Sequence, residues 1–167
     1  MNKFSKVYLL HGRGGSPNGS TNLLQKALEP LFPNCEFIRP LLPHTNHKIE
    51  NPEDSIKTLE ELNIPQGSLL IGISLGGLVA AKLQEESRPD LTVICIVTPT
   101  RFKTISLEKH MPNRVVFYSS KDEVIADRVA DWPKLAEVHD LSWLNHDIDP
   151  NIPKLVKLIH KYVANKK

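Results

Sequence analysis

The sequence is poor in the features that mark secreted, membrane-embedded and nucleic-acid-binding proteins. Its 167 residues include two cysteines, too few for the disulfide framework of a small secreted domain. No apolar run approaches the ~20 residues that span a bilayer, and the N-terminus runs into an apolar strand of only about four or five residues, too short for the apolar region of a signal peptide. Lysine and arginine number 21 against 19 acids, and a net charge of +2 gives no case for nucleic acid or an anionic membrane. We therefore expect a cytoplasmic protein without a membrane span.

Length and composition are typical of an ordinary globular protein. Hydrophobic residues make up 40% of the chain and charged residues 24%. A chain of this length can bury a continuous core, so we expect a single domain over residues 1–167. Cys95 lies in an apolar run and is expected to be buried, while a disulfide with Cys35 stays open.

Short apolar runs alternate with amphipathic stretches along the chain. Continuous apolar strands separated by helices indicate a parallel sheet covered on both faces. We predict an α/β fold, a three-layer α/β/α sandwich with a mostly parallel sheet of about six strands, in which ligands bind at the carboxyl ends of the strands. The predicted strands are 7–10, 35–38, 69–73, 91–97, 115–118 and 138–143. The predicted helices are 23–31, 52–62, 75–87, 124–135 and a last helix from 152, capped by Asn151.

Residues 72–77 read Gly-Ile-Ser-Leu-Gly-Gly and form the most informative motif of the chain. They stand between a predicted strand and a predicted helix, the setting in which G-x-S-x-G presents an exposed serine. Gly72 and Gly76 flank Ser74 where a side chain would block the turn or the approach of helix to strand. The motif predicts Ser74 as a nucleophile, although chance can also produce this spacing.

A second glycine-rich turn, residues 11–15, directly follows the first predicted strand. Backbone N–H groups free of side-chain cover can stabilise an oxyanion there, together with the N–H of Leu75. Either Arg13 or Gly14 could supply the donor from this turn. A phosphate-binding loop is the alternative, but neither G-x-x-x-x-G-K-[ST] nor a full G-x-G-x-x-G is present.

Asp122 follows the fifth predicted strand and His146 follows the sixth. Both therefore fall at the edge of the sheet where Ser74 is expected. A carboxylate at this place can orient a histidine, and a histidine in a loop can reach the serine as a general base. The alternatives are a helix cap for Asp122, Glu123 or Asp127 as the acid, and His44 or His47 of the long 39–51 loop as the base.

The chain order Ser74, Asp122, His146 is that of the strand-turn-helix serine hydrolases. With the two glycine turns, the chain resembles the α/β-hydrolase superfamily over nearly its whole length. The resemblance implies that Ser74 is the nucleophile, His146 the base and Asp122 the acid. It also implies that the backbone N–H groups of Leu75 and Arg13 form the oxyanion hole.

Two structural elements common in that superfamily, an N-terminal hairpin and a cap domain, are not expected in this chain. Only six residues precede Val7, so an opening hairpin is not expected. Residues 98–113 make a short connection, enough for a loop or one turn of helix rather than a cap domain. The chain therefore resembles the small lidless serine hydrolases, such as the group of retinoblastoma-binding protein 9.

The reaction implied by the resemblance is hydrolysis of an ester, thioester or amide through an acyl-enzyme. A carboxylesterase acting on a small-molecule acyl substrate is the default, with no cofactor and no metal. A non-catalytic protein-interaction module on the same scaffold is the alternative, because fold alone does not give function. The sequence leaves the oligomeric state undetermined. The residues expected around the site are the apolar Leu41, Leu42, Phe102, Ile105, Val124 and Ile125, with Arg13 and Arg101 as candidates to meet an anionic group.

Overall fold

Strands and helices alternate along residues 3–166, the part of the chain that the computed structural model describes. Residues 1, 2 and 167 of the expected domain lie outside the described residues. The first half contains β1 (Lys6–Leu10), α1 (Ser20–Leu28), β2 (Glu36–Ile38), α2 (Glu53–Glu61), β3 (Leu69–Ile73) and α3 (Leu75–Glu86). The second half contains β4 (Thr92–Ile96), β5 (Arg101–Phe102), β6 (Ile105–Ser106), β7 (Arg114–Tyr118), β8 (Glu137–Asp140) and α4 (Ile152–Ala164).

The main sheet has six strands in the order β2-β1-β3-β4-β7-β8, and every neighbouring pair is parallel. Helix α1 packs with α4, and α2 packs with α3, so the helices cover the sheet as two pairs. The predicted sheet with flanking helices is confirmed. No helix among residues 3–166 is long and apolar enough to cross a membrane.

Burial along the strands follows from their place in the sheet. Strands β3, β4 and β7 are buried at every residue, which explains their continuous apolar sequences. Strand β8 lies at one edge of the sheet and stays largely exposed. It ends at Asp140, before the predicted limit of 143.

The helix predicted over 124–135 does not form. The structure has two short 3-10 turns there, Ala126–Arg128 and Trp132–Lys134. The backbone carbonyl of Arg128 accepts hydrogen bonds from both the N–H and the hydroxyl of Thr100, at 2.8 and 3.1 Å. This carbonyl is therefore held by a distant segment and is not used in an α-helical ladder.

Two further local expectations are corrected, and one question that the sequence left open is answered. Residues 98–113 hold the small antiparallel hairpin of β5 and β6, not a loop or a turn of helix. Asn151 precedes α4 but makes no side-chain cap, because its side-chain amide donates to the carbonyl of Trp143 at 3.1 Å. No disulfide joins Cys35 to Cys95, the pairing that the sequence left open.

A buried arginine ties α3 to the start of β7, at the edge of the sheet opposite the strand ends that carry the motifs. The side chain of Arg114 is 0% exposed and pairs at 3.2 Å with Glu85, which is 2% exposed. All five of its N–H donors are used; the other acceptors are Gln84 Oε1 and the carbonyls of Ala81, Lys109 and Leu135. Arg114 is thus both paired with an opposite charge and fully hydrogen-bonded, the condition under which a buried charge is tolerated.

Replacing Arg114 by methionine should lower the free energy of unfolding by about 3–5 kcal/mol, because the Glu85 carboxylate loses its fully buried cation and keeps only the ion pair with Lys82, at 3.2 Å, whose side chain is 16% exposed. Chemical denaturation measures the change. The double variant Arg114→Met/Glu85→Gln removes the stranded charge and should recover part of the loss. A single variant within 1 kcal/mol of the wild type would show that the pair does not hold α3 in place.

Candidate active site

Ser74 occupies a strained turn between β3 and α3. Its backbone has φ 52° and ψ −120°, a conformation that a residue with a side chain rarely adopts. Its N–H donates to the carbonyl of Ile96 at 2.8 Å, which fixes the turn to β4. Helix α3 begins at the next residue, Leu75. The serine therefore stands at a helix N-terminus, as the motif predicts for a nucleophile elbow.

The glycines of the motif allow α3 to lie directly against the sheet. A Cβ on Gly76 would lie 2.5 Å from the carbonyl oxygens of both Leu10 and His11, at the end of β1. A Cβ on Gly72 would overlap the backbone nitrogen of Gly77. Real Cβ atoms do not approach backbone so closely, so the steric role expected for Gly72 and Gly76 is confirmed.

His146 and Asp122 meet at the carboxyl edge of the sheet. Nδ1 of His146 lies 2.8 Å from Oδ2 of Asp122, whose side chain is 1% exposed while that of His146 is 28% exposed. A carboxylate only accepts, so Nδ1 carries the proton, and in the neutral ring Nε2 is the basic nitrogen. A buried acid thus orients a half-exposed imidazole.

Asp122 also closes the turn in which it lies. Its second oxygen, Oδ1, accepts from the N–H of Val124 at 3.0 Å. No α-helix follows, so this is a local turn rather than the helix cap considered from the sequence. Glu123 and Asp127 are exposed, and among residues 3–166 Asp122 is the acid that pairs with His146.

Two cavities flank Ser74, and both Ser74 and His146 line each of them. The larger has a volume of about 410 Å³ and lies between the 11–15 turn and the start of α1. The smaller has a volume of about 110 Å³, with walls from Pro99, Phe102, Val124 and Ile125. The structure thus brings Ser74, His146 and Asp122 to one place.

Hydrogen bonding within the 11–15 turn distinguishes its two candidate oxyanion donors, the backbone N–H groups of Arg13 and Gly14. Gly14 donates to the carbonyl of His44 at 2.8 Å, so its N–H is occupied. Gly15 donates to Gly12 at 3.0 Å within the turn. Among the described residues no acceptor bonds the N–H of Arg13, and Arg13 lines both cavities. This arrangement favours Arg13 over Gly14 as the donor from the turn.

Two buried histidines hold that turn in place. His44 is completely buried, with Nε2 at 2.6 Å from the carbonyl of His11 and Nδ1 at 2.8 Å from the hydroxyl of Ser55. Nε2 must donate to a carbonyl, so in the neutral ring Nδ1 accepts from the hydroxyl of Ser55. His11 has the opposite arrangement: Nε2 accepts from the N–H of Leu42 at 2.9 Å, and Nδ1 donates to Gly12. Burial lowers the pKa of each ring, that of His44 to about 4, and so favours the neutral form of both.

The 39–51 loop therefore supports the site from behind. His44, one rival for the catalytic base, has both ring nitrogens occupied and is buried, so it cannot reach a substrate. His47 is exposed beside Gly14 and does not line either cavity with Ser74. The supporting role of His44 was missed from the sequence, although a histidine-rich loop following a strand was the available signal.

The expected apolar walls are partly present. Phe102, Val124 and Ile125 line the smaller cavity. Leu42 and Ile105 belong to the hydrophobic core, and Leu41 is 60% exposed without lining either cavity. Arg101 also lies outside both linings, whereas Arg128, which was not expected from the sequence, lines the smaller one.

Comparison with solved structures identifies the fold. An α/β hydrolase enzyme from a sediment metagenome of the Mar Chica lagoon superposes with a TM-score of 0.75 at 15% identity, over 99% of this chain and 93% of that chain. Mouse alpha/beta hydrolase domain-containing protein 10 gives 0.71 at 15% identity, over 100% and 92%. A lidless α/β serine hydrolase from Xanthomonas campestris gives 0.62 at 13% identity, over 95% and 81%. The chain therefore has the fold of the α/β-hydrolase superfamily.

The sequence itself is matched by one family model. Residues 6–142 match an uncharacterised protein family, UPF0227, and the chain belongs to that family. No curated protein sequence matches the chain. The family match covers the 11–15 turn, the elbow and Asp122, while His146 lies just beyond it.

The buried, neutral state of His44 predicts a pH-dependent stability. In the unfolded chain this histidine binds a proton below about pH 6.5, whereas the folded protein resists protonation down to about pH 4. The unfolded state thus binds more protons in this interval, so the free energy of unfolding should fall from pH 6.5 to pH 4, by at most about 3 kcal/mol from this group. Denaturation curves at several pH values, for wild type and His44→Asn, isolate its share.

The exposed His47 offers the matched control for that measurement. His47→Asn should keep the wild-type dependence of stability on pH, whereas His44→Asn should flatten it. If the two variants gave the same slope between pH 6.5 and 4, the neutral state of His44 would not be a determinant of stability.

Proposed function

We propose that this protein is a serine hydrolase that cleaves esters through a Ser74–His146–Asp122 triad. The observation that carries the proposal is the 2.8 Å hydrogen bond from His146 to the buried Asp122, at cavities lined also by Ser74. The strained turn at Ser74 supports it, since backbone strain of this kind concentrates at functional sites. The hydrolase names of proteins with the same fold support the general reaction class.

In the proposed reaction the Ser74 hydroxyl attacks the carbonyl carbon of the substrate, and Nε2 of His146 takes its proton. The Asp122 carboxylate holds Nδ1–H and stabilises the imidazolium that forms. His146 then gives the proton to the departing alcohol, which leaves an acyl group on Ser74. A water molecule, deprotonated by His146, attacks this acyl-enzyme and releases the carboxylic acid.

The negative charge on the tetrahedral intermediate needs donors already in place. Leu75 is the first residue of α3, so its N–H belongs to the unpaired donors of a helix N-terminus. The N–H of Arg13 is the proposed second donor. A donor of this kind contributes about 3 kcal/mol to the transition state.

The site opens to solvent without a cap, because residues 98–113 form only the small hairpin. We therefore propose that the protein is a carboxylesterase of the small lidless kind. The resemblance to the retinoblastoma-binding protein 9 group is part of this proposal. A thioester or amide substrate uses the same residues. An interaction module that does not catalyse is the alternative, and the first experiment below separates the two.

Ser74→Ala should lower turnover of a short-chain p-nitrophenyl ester by on the order of 10⁴ or more, because it removes the nucleophile. The same variant should lose labelling by a fluorophosphonate probe, which forms a bond to an activated serine. His146→Ala should lose labelling as well, since the hydroxyl then has no base. Labelling and hydrolysis are measured on purified protein whose folding is checked by circular dichroism.

Two variants serve as matched controls. Ser87→Ala changes a serine at the far end of α3, and His47→Ala changes an exposed histidine of the 39–51 loop. Both should label and turn over as the wild type does. Absence of labelling in folded wild-type protein would favour the interaction module, and near wild-type turnover by Ser74→Ala would reject Ser74 as the nucleophile.

A further inference from the structure

The linings of the two cavities carry positive charge without a matching carboxylate. Arg13 lines both cavities and Arg128 lines the smaller one, while no aspartate or glutamate lines either. The acid of the site, Asp122, lies behind His146 and is 1% exposed. A substrate that enters therefore meets guanidinium groups but no exposed carboxylate in the walls.

Arg128 is anchored at its backbone but keeps free donors at its side chain. Its carbonyl accepts two hydrogen bonds from Thr100, and its N–H donates to Ile125 at 2.8 Å. Of the guanidinium, only Nη2 makes a hydrogen bond among the described residues, to the carbonyl of Val124 at 2.9 Å. Nε is enclosed and donates to none of them, although it lies 3.4 Å from the carboxylate of Asp127. Asp127 is 80% exposed, and a pair of this kind contributes little.

Arg13 lines the smaller cavity together with Arg128, Ser74 and His146. Its guanidinium carbon lies 5.1 Å from the ring centroid of Phe102, a cation–π contact with another residue that lines the smaller cavity. Among residues 3–166 it makes no ion pair. Its five N–H donors remain available for a planar acceptor such as a carboxylate.

We infer that the preferred substrates are esters that carry a carboxylate close to the scissile bond, received by Arg128 and Arg13. This inference rests on the proposed hydrolase function and adds a substrate class to it. The smaller cavity, about 110 Å³, has room for a few heavy atoms, so the carboxylate lies only a short chain away from the reacting carbonyl. Guanidinium groups bind carboxylates through paired, charge-assisted hydrogen bonds, which are the strong ones in proteins.

The neighbouring Arg101 is an arginine that we do not expect to bind the substrate carboxylate. It lies in β5, is exposed, and donates through Nη2 to the carbonyl of Asp127 at 3.1 Å. It lines neither cavity. Arg101 therefore provides a matched control with the same charge, near the site but outside it.

The test uses two pairs of esters that differ only in whether a carboxyl group is free or methylated. Monomethyl and dimethyl glutarate place the carboxylate on the acyl side, while 4-acetoxybenzoate and its methyl ester place it on the alcohol side. Acid release in a pH-stat gives kcat/KM for each. In at least one pair the free acid should exceed the methylated compound by about tenfold or more, the effect of a hydrogen bond to a charged group.

The ratio of kcat/KM between the free acid and its methylated partner, measured in arginine variants, shows which residues cause the preference for a carboxylate. Arg128→Gln should reduce the ratio about tenfold, Arg13→Gln should reduce it too, and Arg101→Gln should leave it unchanged. In the wild type, raising the salt from about 0.05 M to about 0.5 M should also reduce the ratio, since screening weakens charge attraction. The salt measurement uses only the wild-type protein, so it does not depend on the correct folding of a variant.

The outcomes separate this inference from the proposed function. Hydrolysis of the methylated esters that depends on Ser74 supports the function whatever the ratio. A ratio near one in both pairs, or a preference that survives both Arg128→Gln and Arg13→Gln, overturns the carboxylate inference alone. Hydrolysis that persists in Ser74→Ala overturns the proposed function and this inference with it.

Discussion

The close approach of α3 to the end of β1 is the constraint on which the rest of the site depends. Gly76 lies against the carbonyls of Leu10 and His11 with no space for a Cβ. Ser74 and the 11–15 turn leave from these two elements, so the approach sets the distance between a candidate nucleophile and a candidate oxyanion donor. The strain at Ser74 is sustained because α3 and β4 both hold the turn.

A second constraint acts from behind the turn. His11 and His44 make four hydrogen bonds, and each ring needs one donor nitrogen and one acceptor nitrogen to do so. A buried polar network of this kind stabilises only when every member is satisfied. The rings thus fix the 39–51 loop against the turn, and the N–H of Gly14 is used for that purpose rather than for the substrate.

The sheet, the long helices and the elbow were predictable because their signals are local: continuous apolar strands, and glycines at fixed spacing around Ser74. The path of residues 124–135 was not, because Thr100 takes the carbonyl of Arg128 and no local pattern reveals a partner 28 residues away. The role of His44 depends likewise on His11, 33 residues distant. Asp122 and His146 of the proposed triad were selected from their place after strands, whereas Arg128 became a candidate only once the structure placed it in the lining of a cavity beside Ser74.

The arginines of this fold divide according to how many of their donors the protein itself uses. Arg114 has five N–H groups and five protein acceptors, lies opposite the site, and has nothing left to bind. Arg128 uses one nitrogen among the described residues, and Arg13 is held by the face of Phe102, which takes no hydrogen bond from it. Folding gains nothing further from those free donors, and an exposed guanidinium is solvated at little cost. Both side chains nevertheless line the cavity beside Ser74, where no carboxylate of the described residues lines the wall, and this position favours a ligand of complementary charge.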